Sequence, residues 1–133
     1  MSRTAADVET YLIELDRAVE SSARGGDEAT FVVRATTGDA IVIRVDAPIV
    51  AVQATIGRAP ADAEHRLRIF ERLLVLNATD LLHASYGLEA EQIVLSAALA
   101  LENLDRNELE AVLSDVDVAL MRHTSELAHA ARD

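Results

Sequence analysis

Val8, Leu12, Leu15 and Val19 recur at helical spacing behind a Thr4 placed to cap, which predicts an amphipathic helix over residues 5–23. The run "SARGGDE" ends it, with Gly25 and Gly26 supplying the left-handed conformations of a helix exit. The pattern then turns to alternation. "TFVVRATTGDAIVIRV" reads as a hairpin about Thr37-Gly38-Asp39, because Gly38 can take positive φ where the strands reverse. Asp46-Ala47-Pro48 makes a second turn, and "IVAVQATI" is the third strand of a meander. "GRAPAD" then opens a helix capped by Asp62 and running to about Asn77. Leu67, Ile69, Phe70, Leu73, Leu74, Val75 and Leu76 wrap more than one stripe of it. So wide an apolar arc predicts burial on two sides, the second against a partner subunit. "DLLHASYGL" and "QIVLSAAL" predict two further strands around Gly87 and "EAE". A last helix follows, with Asp105 and Glu108 as a capping box and Leu104 stapled to Leu109. Its apolar face is Leu109, Val112, Leu113, Val116, Leu120 and Leu127, against Glu110, Asp115, Asp117, Arg122 and Glu126. The predicted order is α-β-β-β-α-β-β-α, an antiparallel sheet packed by helices. That is an α+β fold, read as a single domain over residues 1–133.

Composition changes this picture in three ways. Four aromatic side chains, Tyr11, Phe31, Phe70 and Tyr86, leave a core of Leu, Val, Ile and Ala, and such a thinly filled core gains from a second copy. All twelve basic residues are arginine and there is no cysteine, which excludes lysine Schiff bases, thiolate nucleophiles and disulfides. The net charge of −11 is uneven, with about −3 on residues 1–77 and about −8 on residues 78–133. An acidic half of this kind disfavours nucleic acid and attracts a basic protein segment. No apolar run reaches the roughly 20 residues of a membrane span, and the N-terminal pattern carries acids inside it, so the sequence reads as cytoplasmic with no direct membrane insertion.

No constellation of residues carries a reaction. His65 and His83 fall on a predicted helix and strand, and His123 and His129 are six apart on the last helix, off a common face. His83 reads as a strand residue, the others as solvated helix positions, with no metal site. The carboxylate pairs Glu89/Glu91, Glu108/Glu110 and Asp115/Asp117 lie at a turn or on a polar helix face, not in dry pockets. Glu108, Glu110, Asp115 and Asp117 are instead candidates for an acidic partner-binding patch. No GxSxG surrounds Ser85, Ser96, Ser114 or Ser125, and no phosphate-binding glycine motif occurs. Arg66, Arg68 and Arg72 cluster on the second helix but are interrupted by Glu64 and Glu71, which reads as ion pairing with Glu71 or with an acid across an interface. No catalytic residue and no cofactor is assigned.

The stretch "RIFERLLVLNATDLLHASYGLEAEQIVLSAALALENLDRNELEAVL", residues 68–113, places an apolar helix ending Leu74-x-x-Asn77 before Tyr86-Gly87-Leu88, then Ile93-Val94-Leu95 and Leu104-Asp105. In that order it resembles the CesT/YbjN-like superfamily, the fold of class I type III secretion chaperones. It is similar, more loosely, to the YjfI family of bacterial proteins associated with PspA-type membrane-stress proteins. The first resemblance implies a non-catalytic homodimer whose second helix lies at the interface, with Leu67, Phe70, Leu73 and Leu74 as interface residues. It also implies a sheet surface that holds an extended client segment. The alternative is an acidic regulatory partner of a PspA-type protein, and a small enzyme ranks last.

Overall fold

The structure, a computed structural model, describes residues 2–26 and 28–132, with side chains to Leu127. Its elements are α1 (Ala5–Glu14), β1 (Ser21–Gly25), β2 (Glu28–Arg34), β3 (Ala40–Asp46), β4 (Ile49–Arg58), α2 (Ala63–Thr79), β5 (Ser85–Glu89), β6 (Gln92–Ala100) and α3 (Arg106–Arg132).

The expected helix over 5–23 stops at Glu14, and part of its predicted tail is strand β1. The cause is Asp16, which takes φ 61° just past the helix. Its N–H donates to Ile13 O at 3.0 Å while the Arg17 N–H donates to Leu12 O at 2.8 Å. These two bonds are a Schellman ending with aspartate in the place usually held by glycine. Leu15 and Val19 continue the apolar period through the break, which hid it from a pattern reading. At the other end the Thr4 cap forms as expected, with Thr4 N–H donating to Asp7 Oδ2 at 2.8 Å and Asp7 N–H donating to Thr4 Oγ1 at 3.3 Å.

The six strands form one antiparallel sheet in the order β1-β2-β3-β4-β6-β5. Strand alternation decides the core. Phe31 and Val33 of β2, Ile41 and Ile43 of β3, Val52 and Ala54 of β4 and Leu95 of β6 are buried in one cluster with Val8 and Leu12 of α1, Ile69 and Leu76 of α2 and Leu109, Val112, Leu113, Val116 and Leu120 of α3. Arg44, Gln53 and Ser96, each next in sequence to one of these strand residues, lie on the other face, where they are exposed or half-buried. Both later helices start where the sequence placed them. Asp62 accepts the His65 N–H at 3.0 Å, and Asp105 and Glu108 exchange backbone bonds at 2.8 and 3.2 Å over the buried pair Leu104 and Leu109.

The hairpin between β5 and β6 turns on Ala90 and Glu91, at φ 48° and 67°, without a glycine at either position. Left-handed backbone costs an L-residue roughly 1–2 kcal/mol. Glu91 is held in it by Arg66, whose guanidinium donates to both carboxylate oxygens at 2.7 and 3.3 Å, and by the Ala59 N–H on its carbonyl at 2.9 Å. Ala90 is exposed. Ala90→Gly should therefore stabilise the fold by about 1 kcal/mol, read as a rise of a few degrees in the melting temperature. A lower melting temperature would show that chain entropy outweighs the relieved strain.

Candidate functional site

The second helix turns Ile69, Leu73 and Leu76 into the core, which sets Leu67, Phe70 and Leu74 on the flank beside them. Leu67 and Leu74 are 67% and 69% exposed, and Leu88 of the edge strand β5 is exposed as well. Phe70, Leu73, Leu74, Asn77, Tyr86, Gly87 and Leu88 line a cavity of about 210 Å³. An apolar ridge thus stands beside an apolar hollow at the α2/β5 edge of the sheet. Of the four residues expected at an interface, Leu73 is only 6% exposed and belongs to this chain's own core, touching the surface only as the floor of the cavity. The guanidinium of Arg66 lies 4.8 Å from the centre of the Phe70 ring and, through its hydrogen bonds, lowers the Glu91 carboxyl from its ordinary value.

Under this face a polar chain runs from buried Tyr86 and His123 out to Asp80 at the surface. His123 of α3 is 3% exposed, which corrects its reading as a solvated position. The Asp80 carboxylate, 3.0 Å away, only accepts, so the His123 Nε2 carries a proton and donates to it. In the neutral ring Nδ1 then accepts from the Tyr86 hydroxyl at 2.7 Å. The bond from His123, with a second from Thr79, holds Asp80 below the usual carboxylate range. Burial, reinforced by the nearby charges of Glu126, Asp80 and Asp115, pushes the Tyr86 phenol up, so it stays a donor. The signal for His123 was in the sequence: it continues the apolar face at three and four residues from Leu120 and Leu127.

The two edges of the sheet differ. At β5 the Asn77 amide acts as a partner strand for one residue, accepting the Tyr86 N–H at 2.7 Å and donating to the Tyr86 carbonyl at 3.1 Å. At β1 all five residues are exposed, and Arg24 reaches back to Glu9 of α1 at 2.8 Å, which sets the helix beside the strand.

The acids expected to bind a partner do not share a surface. With about 100° between successive helical residues, Glu108 and Asp115 fall on one side of α3 and Glu110 and Asp117 on the opposite side. Glu108 serves the helix cap. Asp115 Oδ2 accepts the N–H groups of Leu82, His83 and Ala84 at 3.3, 2.8 and 2.9 Å. Those bonds curl residues 81–84 into a loop, so His83 is exposed on a loop and not in a strand. Asp117 pairs with Arg17 and accepts the Thr36 N–H at 3.2 Å.

The arginine cluster is engaged in ion pairs, as expected, though Glu71 is not the partner: Arg66 meets Glu91, Arg72 meets Glu126 at 2.5 Å, and Arg68 lies 4.0 Å from Glu64. His65 is half-buried and its Nδ1 lies 2.7 Å from Asp62, so it is not a freely solvated position either. The side chain of His129 lies outside the described residues. Among the described residues no group of three His, Asp or Glu is placed to hold a metal ion, and no helix is long and apolar enough to cross a membrane.

No curated protein matches the chain in sequence. Solved structures do match in fold. A protein from Methanothermobacter thermautotrophicus, described as uncharacterized, is similar with a TM-score of 0.69 and 10% identity, over 92% of this chain and 94% of that one. A chain of the heterodimeric ExoU-SpcU complex of the Pseudomonas aeruginosa type III secretion system is similar with a TM-score of 0.68 and 17% identity, over 92% and 96%. The structure of the Yersinia pestis type III secretion chaperone SycH with a fragment of YscM2 gives 0.59 and 15%, over 88% and 97%. At these identities the likeness is one of fold, and the fold is that of the secretion chaperones. The family model CesT_Tir_1 matches residues 1–133 from end to end, so the chain belongs to the CesT_Tir_1 family.

Proposed function

We propose that this chain is a protein-binding module, a chaperone or adaptor and not an enzyme, that works as a homodimer and holds an extended segment of a partner protein along β1. The observation that carries the reading is the contrast between the sheet's two edges. An edge strand presents alternate N–H and C=O groups outward, ready to pair with another chain. At β5 the Asn77 amide occupies that position at Tyr86, whereas β1 lies exposed along its length. The α2/β5 edge suits a second copy. Leu74 stands beside its own hollow, and a two-fold axis sets the ridge of each copy against the hollow of the other. The acids of α3, split between two sides, support a basic regulatory contact less well.

Partners captured from native cells by the tagged protein provide the test. With the partner bound, amides of Ser21–Gly25 should exchange hydrogen more slowly, and proline placed along this strand should abolish capture at positions whose N–H points outward. Capture that survives every proline and leaves exchange at β1 unchanged would sink the edge-strand reading. Capture lost in high salt alone would favour the acidic surface of α3.

A further inference from the structure

The apolar face of α3 carries a histidine where its period asks for a leucine. Burying an imidazole there costs desolvation that an aliphatic side chain would not. What the imidazole adds is direction, because its two nitrogens bond to two different elements at once. One bond ties α3 to Asp80, the residue that ends α2, and the other ties it to Tyr86 in β5. Tyr86 is also held through its backbone by Asn77 of α2, and it pairs with Leu95 of β6. It is therefore fixed from α2, α3 and β6 together, and it lines the hollow between Phe70, Leu74 and Leu88. The low pKa of Asp80 keeps its carboxylate available as the acceptor at neutral pH.

We infer that His123 is a positioning residue for self-association: by holding Tyr86 and the end of α2, it sets the shape of the α2/β5 hollow into which Leu74 of a second copy fits. This rests on the homodimer reading above. Tyr86 supplies the wall, and His123 acts through it without touching the second copy. Asn77 alone fixes the backbone of Tyr86 but not the ring.

The test compares association with stability in the full chain. Sedimentation equilibrium and thermal unfolding are measured for the wild type, Tyr86→Phe, His123→Leu and the double variant. Each single change leaves a buried polar atom unmet and lowers the melting temperature. The double change removes both partners of the bond, so its melting temperature should return close to the wild-type value. Association should be weakened about tenfold in all three, because each breaks the His123–Tyr86 bond that fixes the ring, and the double variant should be no worse than His123→Leu, which already loses the bond to Asp80 as well. Association that recovers together with the melting temperature would overturn the inference, since packing alone would then shape the hollow. A wild-type dimer whose constant is unchanged in every variant would overturn it as well while leaving the dimer intact. A wild-type chain that stays monomeric at every concentration overturns the dimer reading, and this inference with it.

Discussion

Leu74→Asp is expected to leave the chain folded and monomeric, while Leu73→Asp, one residue away, is expected to unfold it. Leu74 is 69% exposed in the isolated chain, so a carboxylate there meets water and the fold tolerates it. In a two-fold dimer the same leucine is buried twice, and removing each buried leucine forfeits roughly 1.5–3 kcal/mol before the desolvation of an unpaired charge is added. Two such losses weaken self-association by on the order of a hundredfold or more. Leu73 is 6% exposed and lies in the cluster with Ile69 and Leu76. A charge there has no partner, and a loss on the order of 4 kcal/mol or more is a large part of a small domain's stability. Sedimentation equilibrium with circular-dichroism melting separates the two outcomes. A folded Leu74→Asp variant that still dimerises would show that α2 is not the interface, and native melting of Leu73→Asp would contradict the burial assigned to it.

That pair of substitutions also marks how far the sequence could be read. The wide apolar arc of α2 was legible from spacing alone, but periodicity does not say which edge of the arc faces the chain's own sheet. Ile69, Leu73 and Leu76 face inward because β6 and β5 follow the helix and α3 packs behind it, and that is decided in three dimensions. The caps at Thr4, Asp62 and Asp105 were legible because side-chain oxygens and backbone N–H groups only three residues apart settle them. Strand β1 was not legible. "SSARG" has no alternation, every residue of it is exposed, and the break before it rests on a left-handed residue that is an aspartate, where a glycine would have been the stronger signal. The surroundings of His123 escaped for another reason. Its helical position was readable, but its partners Asp80 and Tyr86 are 43 and 37 residues away.

Asp115→Ala should lower stability by about 2–3 kcal/mol, a drop of roughly 10 °C in the melting temperature, through the hydrogen bonds its carboxylate accepts. One carboxylate oxygen accepts three consecutive N–H groups, from Leu82, His83 and Ala84, and thereby holds the whole connection from α2 to β5. Hydrogen bonds to a charged acceptor contribute about 1.5–3 kcal/mol each when dry, and less here because Leu82 and His83 reach water. Asp115→Asn keeps an acceptor of the same shape without the charge, so its loss should be about half as large. Glu110, exposed on the opposite side of the helix, is the control: Glu110→Ala should stay within about 0.5 kcal/mol of the wild type. The same variants bear on function. If the four α3 acids acted together on a basic partner, all four alanine substitutions would weaken its binding alike. If they act as the structure arranges them, Asp115→Ala speeds amide exchange at Leu82 to Ala84, and Asp117→Ala, by losing Arg17, loosens the loop after α1. A uniform loss of partner binding with no change in stability or exchange would restore the acidic patch as the working surface.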